Sequence, residues 1–458
     1  MAIGLFRTVW LLALAGCFAP VCGQQAAVQK LLGAEGLKSA SVSISVKSVA
    51  DGKLVLDYRS GKSMQPASIV KLFSMALALK EKGENFRYRT PVWYTGTIRD
   101  GVLYGDIVVE ASGDPSPDSR YFPEYRLTER LVREVKVAGI GKIRGDIRVE
   151  TGGLSAELPG SWLWEDISNY YGSGWFPFNY RDNTYELLFT TGAAGAPARL
   201  TGVEPAVPDA EFRSSVVASA ENRDNAWIYG GPYTCIFRVK GTIPANRAVF
   251  RVKGGMHRPD RCFLQEIRQL FSREGVDWVR DTLPKPGKTP WFEFRSPALE
   301  ELVFHTNKKS INLFSEALGR LAAGADFQSG VRMFLAAIGS DSTGVVLKDA
   351  CGLSPYNAVP AAAFTDLLVW VRSQSGEALV RSLPVAGVDS GLNAYCRNHP
   401  SLKNRLRAKT GSFSGVRTLS GYLSDRSGRL LAFTVLINHY DCPPARICDE
   451  VGAFLDAL

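Results

Sequence analysis

From Ser68 to Leu79 the chain reads Ser-Ile-Val-Lys-Leu-Phe-Ser-Met-Ala-Leu-Ala-Leu, apolar on nearly every side of a helix. A helix without a polar face cannot lie on a surface, so other elements must enclose it. The chain has 458 residues, more than one ordinary core, and two or three structural units are expected. An apolar fraction of 45% with both charge signs present fits a globular protein and excludes a long disordered region.

The two ends supply what encloses that helix. Residues 41–47 alternate as Ser-Val-Ser-Ile-Ser-Val-Lys, Asp51-Gly52 makes a turn, and Lys53 to Tyr58 alternates again, which predicts a β-hairpin. Near the other end, Thr418 to Leu423 and Leu430 to Asn438 read as strands joined by a turn at Asp425-Arg-Ser-Gly428, and a helix is expected from Pro444 to Leu458. Together they predict one antiparallel sheet flanked by helices, an α+β domain. The middle differs: runs such as Val102 to Glu110, Gly145 to Glu150 and Ala248 to Lys253 alternate with Gly and Pro clusters. Residues 24–86 and 298–458 are therefore expected to form one discontinuous domain, and 87–297 one or two inserted β-rich domains. No fixed-period repeat or low-complexity tract is present.

Residues 1–23 read as an export signal: Arg7, then an apolar run from Val9 to Ala19, then Val21-Cys-Gly23 before Gln24. The run is too short to span a bilayer. Leu14-Ala-Gly-Cys17 also looks like a lipoprotein box in which Cys17 would be acylated; simple cleavage is the favoured reading. Either fate predicts a periplasmic or secreted protein. Removing this segment takes away Arg7 and moves the formal charge from +9 to +8 (9 − 1). A basic exported protein could associate with an anionic wall or membrane surface. Lys and Arg are scattered without a dense basic run, which argues against nucleic-acid binding. Six of the eight cysteines lie beyond the signal, and an oxidising compartment permits disulfides; Cys442 and Cys448 are the first pair expected. No cysteine or histidine spacing resembles a metal site.

Three short motifs carry the chemistry. Ser68 and Lys71 are three apart on one helix face, so the amine can take the hydroxyl proton and leave a nucleophile. Ser310 and Asn312 are two apart and cannot share a helix face, so they must lie on a loop or first turn, where both can point into a cleft. Ser310 suits a proton relay and Asn312 a hold on Lys71 and a substrate carbonyl. Lys409-Thr410-Gly411, followed by Ser412, suits a substrate's terminal carboxylate, with glycine admitting close backbone approach. The backbone N–H groups of Ser68 and Ser412 suit an oxyanion hole. Each motif alone reads equally as a helix start, an N-cap or a turn. Their order along one chain is what points to serine acyl transfer on D-alanyl peptides or β-lactams.

With these segments the chain resembles the class C low-molecular-mass penicillin-binding proteins, the D-alanyl-D-alanine carboxypeptidase/endopeptidases. The likeness rests on Pro66-Ala-Ser-Ile-Val-Lys71, Asn307-Lys-Lys-Ser-Ile-Asn312 and Ala408-Lys-Thr-Gly-Ser-Phe-Ser-Gly-Val416. Gly113-Asp-Pro115, Asp349 to Ser354 before Tyr356-Asn357, and Leu383-Pro-Val-Ala-Gly-Val-Asp389 add to it. It spans about Ser39 to the C-terminus and implies a penicillin-binding-protein/serine β-lactamase-like transpeptidase domain interrupted by two insertions. It also implies acylation of Ser68 by the penultimate D-alanine of peptidoglycan stem peptides, covalent inhibition by β-lactams, and no metal or organic cofactor. Some relatives hold the free amine of the stem peptide's diamino acid with an acidic side chain from an insertion, and Glu157 is the position marked for it. Asp114 is expected to cap its turn. Cys351 stands where relatives usually carry a small polar residue, and a structural disulfide to Cys396 is one option. Trp162, Trp164, Tyr170, Tyr171, Trp175 and Phe176 could line a sugar or peptide groove, with structural packing the more frequent role of such clusters.

Two rival functions follow from the same residues. A serine β-lactamase would share the nucleophile and Lys-Thr-Gly, but no glutamate loop suited to activating the deacylating water stands out after the serine helix. A noncatalytic cell-wall-binding protein would have no need of serine, lysine and asparagine at every chemical position.

Overall fold

The computed structural model describes residues 24–155, 158–281, 287–374 and 376–458. The signal segment 1–23, with Cys17, and Glu157 lie outside the described residues. By contacts the chain divides into two compact units, one of residues 24–81, 303–310 and 319–458, the other of 82–302 and 311–318.

The first unit is built on a five-stranded antiparallel sheet. Its strands are β1 (Ser41–Ser48), β2 (Leu54–Tyr58), β3 (Leu406–Phe413), β4 (Val416–Ser424) and β5 (Leu430–Asn438), in the order β2-β1-β5-β4-β3. The alternation in β1 sends Val42, Ile44 and Val46 to an apolar core shared with Ile447, Val451 and Phe454 of the C-terminal helix. The serines between them are buried too, because helix Ala361–Ser373 covers the opposite face. There Ser45 Oγ meets Thr365 Oγ1 at 2.8 Å and Tyr422 donates to the Leu368 carbonyl. The alternating polar residues thus face a second helix layer, where each buried hydroxyl finds a partner.

The buried helix begins later than its apolar pattern suggests. Ala67–Val70 forms a 3₁₀ turn, and the α-helix α1 runs from Lys71 to Lys82 with every residue from Lys71 to Ala78 buried. Two further helices, α2 (Leu299–Lys309) and α3 (Asn312–Ala323), flank Ser310, which breaks the run with φ 56°. Residues 311–318, assigned by sequence to the serine domain, group instead with the second unit. The reason is aromatic packing: Phe314 lies 6.0 Å from Phe122 and 5.9 Å from Tyr121, and Tyr88 donates to the Ala317 carbonyl.

The second unit is rich in short strands, with parallel as well as antiparallel pairs, around two amphipathic helices, Leu127–Val137 and Pro259–Arg273. Leu127, Leu131 and Val135 on one, and Phe263, Ile267 and Phe271 on the other, recur every four residues and fill its core. The Gly113-Asp-Pro turn packs beneath Trp175, whose indole donates to the Gly113 carbonyl at 2.9 Å; a methyl on Gly113 would sit 2.7 Å from that ring.

Asp114 caps this turn as expected, its Oδ1 accepting the Ser116 N–H at 2.8 Å. Its Oδ2 is buried without a partner among the described residues, and burial raises the carboxyl from 3.8 to about 6. The folded state therefore holds a proton that the unfolded chain has released, and stability falls as pH rises from about 4 to about 6. The cost reaches about 3 kcal/mol at neutral pH. Asp114→Asn keeps the acceptor, and melting curves should show the parent losing stability relative to this variant across that window. Parallel curves at pH 4 and pH 7 would refute it.

The expected disulfides do not form: all six cysteines in the described residues are free. Cys448 faces the core of the first unit from the C-terminal helix, whereas Cys442 sits over Gly36, whose added methyl would meet its Sγ at 2.7 Å. Cys396 turns its thiol to the Leu392 carbonyl at 3.4 Å, and Cys351 is buried in the loop beside Lys71.

Candidate active site

The 3₁₀ turn presents Ser68 while burying its neighbours Ala67, Ile69 and Val70. In this tight turn residues three apart eclipse one another, which brings Lys71 Nζ to 3.0 Å from Ser68 Oγ. Lys71 is fully buried and also donates to the Cys351 carbonyl at 2.5 Å. That carbonyl belongs to a loop organised by Asp349, whose carboxylate accepts from Gly352 N, Ser354 N and Asn357 Nδ2 at 2.6 to 2.8 Å. Gly352, at φ 82°, lies so close to the serine turn that an added methyl would fall 2.0 Å from the Ala67 carbonyl oxygen. The sequence marked this loop only as a family-like stretch. Its part in holding Lys71 and the serine turn becomes visible only in three dimensions.

Lys409, Thr410 and Gly411 lie on β3, an edge strand, against the same turn. Thr418 on β4 donates to the Pro66 carbonyl at 2.7 Å, and a methyl on Gly411 would come within 2.9 Å of Ser68 N. Lys409 is buried, donating to Ser310 Oγ at 2.9 Å and to the Thr410 carbonyl at 2.8 Å. Burial, and then the positive charge of Lys71, hold its ammonium well below the usual lysine range. Ser310 is thus no N-cap: with φ 56° it is left-handed, and its hydroxyl is an acceptor for Lys409. Ser412 is exposed at the end of the motif.

Asn312 opens α3, as the two-residue spacing requires, and its Nδ2 donates to the Tyr171 carbonyl at 2.7 Å. The Tyr171 hydroxyl in turn donates to Asp166 Oδ1 at 3.0 Å. Burial raises the Asp166 carboxyl above its usual value. Asp166 is an acidic residue tied through Tyr171 to Asn312 of the second motif; Glu157, the position marked from sequence, lies outside the described residues. The signal for Asp166 is the tight turn Tyr170–Gly172, where a methyl on Gly172 would lie 2.1 Å from the Asp166 carbonyl oxygen. The aromatic cluster divides: Trp162 and Trp175 are buried as packing, whereas Trp164 and Tyr170 are more than half exposed.

The model of the D-Ala-D-Ala carboxypeptidase 3 (S13) family matches residues 24–457. The chain belongs to that family. As a D-Ala-D-Ala carboxypeptidase family member it is 25% identical over 429 residues to D-alanyl-D-alanine carboxypeptidase DacB of Haemophilus influenzae, covering 88% of this chain and 86% of that one. The crystal structure of penicillin binding protein 4 (dacB) from Haemophilus influenzae superposes with a TM-score of 0.77 at 24% identity, covering 94% of this chain and 97% of the other. The same protein complexed with a β-lactam superposes with a TM-score of 0.71 at 22% identity and the same coverage. These structures establish the fold expected from the sequence. The S13 family match makes the chain a serine carboxypeptidase of the penicillin-binding type.

Proposed function

We propose that Ser68 attacks the carbonyl of the penultimate D-alanine of a peptidoglycan stem peptide, forming an acyl-serine that water then releases. The observation that carries this reading is the 3.0 Å contact between Ser68 Oγ and buried Lys71 Nζ. The reacting form is the one in which Lys71 has lost its proton: its amine then takes the hydroxyl proton along that line, and the new carbon–oxygen bond forms as the carbonyl π bond opens. Backbone N–H groups of Ser68 and Ser412 receive the oxyanion. As the oxyanion collapses and the carbon–nitrogen bond breaks, the departing D-alanine nitrogen takes the proton that Lys71 accepted, relayed by Ser310, while Lys409 stays charged and donates to the Ser310 hydroxyl. Asn312 holds the substrate amide, and Thr410, Gly411 and Ser412 line the strand edge along which the substrate backbone lies. β-Lactams enter the same path, their strained amide standing in for the scissile bond. Residues 1–23 direct the chain out of the cytoplasm, where this substrate is found, and the basic surface favours association with the anionic wall or membrane.

The direct test is intact-protein mass after addition of benzylpenicillin. A persistent adduct on Ser68 supports the reading, and rapid hydrolysis without an adduct would point to a β-lactamase.

Lys409 binds the substrate's terminal carboxylate, which restores to its ammonium the partner that burial removes. Lys409→Ala should raise KM for a D-Ala-D-Ala peptide by about 10- to 100-fold, the loss of roughly 1.5–3 kcal/mol of charge-assisted hydrogen bonding. The pH sign follows: recognition needs the charged amine, so it is lost as pH rises through the depressed Lys409 value, earlier than for an ordinary lysine. An unchanged KM would remove Lys409 from carboxylate binding.

Asp166 takes the free amine of a stem-peptide diamino acid, near Asn312 through Tyr171. Asp166→Asn should reduce turnover of peptides carrying that amine about tenfold and leave N-acetylated peptides unaffected. Equal losses on both would mean that Asp166 only shapes the loop.

A further inference from the structure

Beside Tyr171 the second unit carries a groove of about 430 Å³ that none of the three motifs lines. Tyr170, Tyr171 and Trp227 give it aromatic walls, and Arg223, Asp224, Arg251 and Lys253 its charges. Its volume lies in the range of roughly 300–1,000 Å³ in which small ligands are held.

The groove is fixed in place by buried hydrogen bonds. Asn169, 5% exposed, accepts the Ile228 N–H on Oδ1 at 3.1 Å and donates to the Glu165 carbonyl at 2.5 Å. It thereby staples the segment carrying Asp166, Tyr170 and Tyr171 to strand Asn225–Tyr229. On the other side Gly255 N donates to the Ser168 carbonyl at 2.9 Å. Tyr170 is thus held between two strands while remaining 53% exposed.

Strand Asn225–Tyr229 pairs on one side only, and its side-chain alternation puts Ile228 in the core and Trp227 outward, 39% exposed. Tyr229 shares the outward face, and Trp164 lies over it with ring centroids 5.1 Å apart. A row of aromatic rings therefore runs along this edge, more exposed than packing requires. Arg251 is bridged to Glu186 and Glu204. Arg223 and Lys253 have no ion-pair partner among the described residues. Exposed aromatic faces beside the uncommitted cations Arg223 and Lys253 suit a ligand with apolar C–H faces, hydroxyl groups and acidic substituents. Sugar rings bearing carboxylates have that chemistry. A protein partner would favour a continuous apolar patch, which this groove lacks.

We propose that this groove is a subsite for the amino-sugar strand to which stem peptides are attached. The inference rests on the reading that Ser68 acts on those peptides. Sugar faces stack on Tyr170 and Trp227, while Arg223 and Lys253 meet the lactyl branches, at the amide carbonyl where a peptide is attached and at the free carboxylate where it has been removed. The Tyr171 carbonyl that accepts from Asn312 places the groove one residue from the second motif. A polymer held there would present its stem peptide to Asn312 of that motif.

The test compares the whole protein with Trp227→Ala, Tyr170→Ala/Trp227→Ala and Trp227→Phe. The probe is a peptide-free amino-sugar strand prepared by amidase digestion, titrated by calorimetry. Trp227→Ala should weaken binding about tenfold, the double variant further, and Trp227→Phe should retain most of it, since the phenyl ring keeps a stacking face. Benzylpenicillin acylation and D-alanine release from a soluble tripeptide should stay within twofold of the parent, while KM on intact cell-wall sacculi rises about tenfold. A parent that does not bind the stripped strand, or variants that bind it equally well, overturns the proposal. Binding of peptide-bearing fragments alone overturns it in favour of a second peptide site. Failure of the parent to be acylated at all would instead sink the serine reading, and strand binding would show that separately.

Discussion

Ser68→Ala should lose all covalent capture of benzylpenicillin, and D-alanine release should fall by at least about a thousandfold, with the fold left intact. The size of the loss follows from the arrangement: Ser68 is the one residue of its turn that is not buried, and its Oγ stands 3.0 Å from Lys71 Nζ. No other hydroxyl is offered to that amine by the same turn. The small effect on stability has an equally local cause. Lys71 keeps its hydrogen bond to the Cys351 carbonyl, so removing one oxygen leaves no buried cation stranded. Intact-protein mass and a melting curve check both halves. A stable penicilloyl adduct on the variant would show that another group is the nucleophile.

That site was legible in sequence because its pieces are local. A serine and lysine three apart meet on any helical turn, and a two-residue spacing forces Ser310 and Asn312 out of a regular helix. The period-two alternation of residues 41–47 likewise marked a strand, since only a sheet sorts neighbouring residues to opposite faces, and the short apolar run 430–438 marked a buried one. What escaped depends on distant partners. Nothing near Phe314 announces that it will stack on Phe122 and draw residues 311–318 into the second unit. Asp166 gains its meaning from Tyr171 and Asn312, which nothing in its place along the chain announces. The cysteines misled for the same reason: a short spacing between Cys442 and Cys448 says nothing of the directions their side chains take. The aromatic cluster needed burial, not composition, to separate packing residues from exposed ones.

Gly352→Ala should lower the second-order rate of penicillin acylation about a hundredfold or more, although residue 352 carries no reacting group. Two penalties meet at this position. The backbone is left-handed, at φ 82°, which costs an alanine about 1–2 kcal/mol. The methyl would also stand 2.0 Å from the Ala67 carbonyl oxygen and 3.1 Å from Ser68 Cα, and these are backbone atoms that cannot rotate aside. Relief requires the serine turn or the Asp349 loop to shift. The turn carries the nucleophile and its N–H, and the loop carries the carbonyl that anchors Lys71, so either shift displaces reacting groups. A misplacement of about 1 Å costs on the order of a hundredfold in rate. Gly139 supplies the control, because it too is left-handed, at φ 64°, with nothing within 4 Å of its added methyl. Gly139→Ala should therefore lower the melting temperature through backbone strain alone and acylate at the parental rate. If Gly352→Ala behaves like Gly139→Ala, less stable but fully reactive, the close approach of the loop to the serine turn has no part in positioning Ser68.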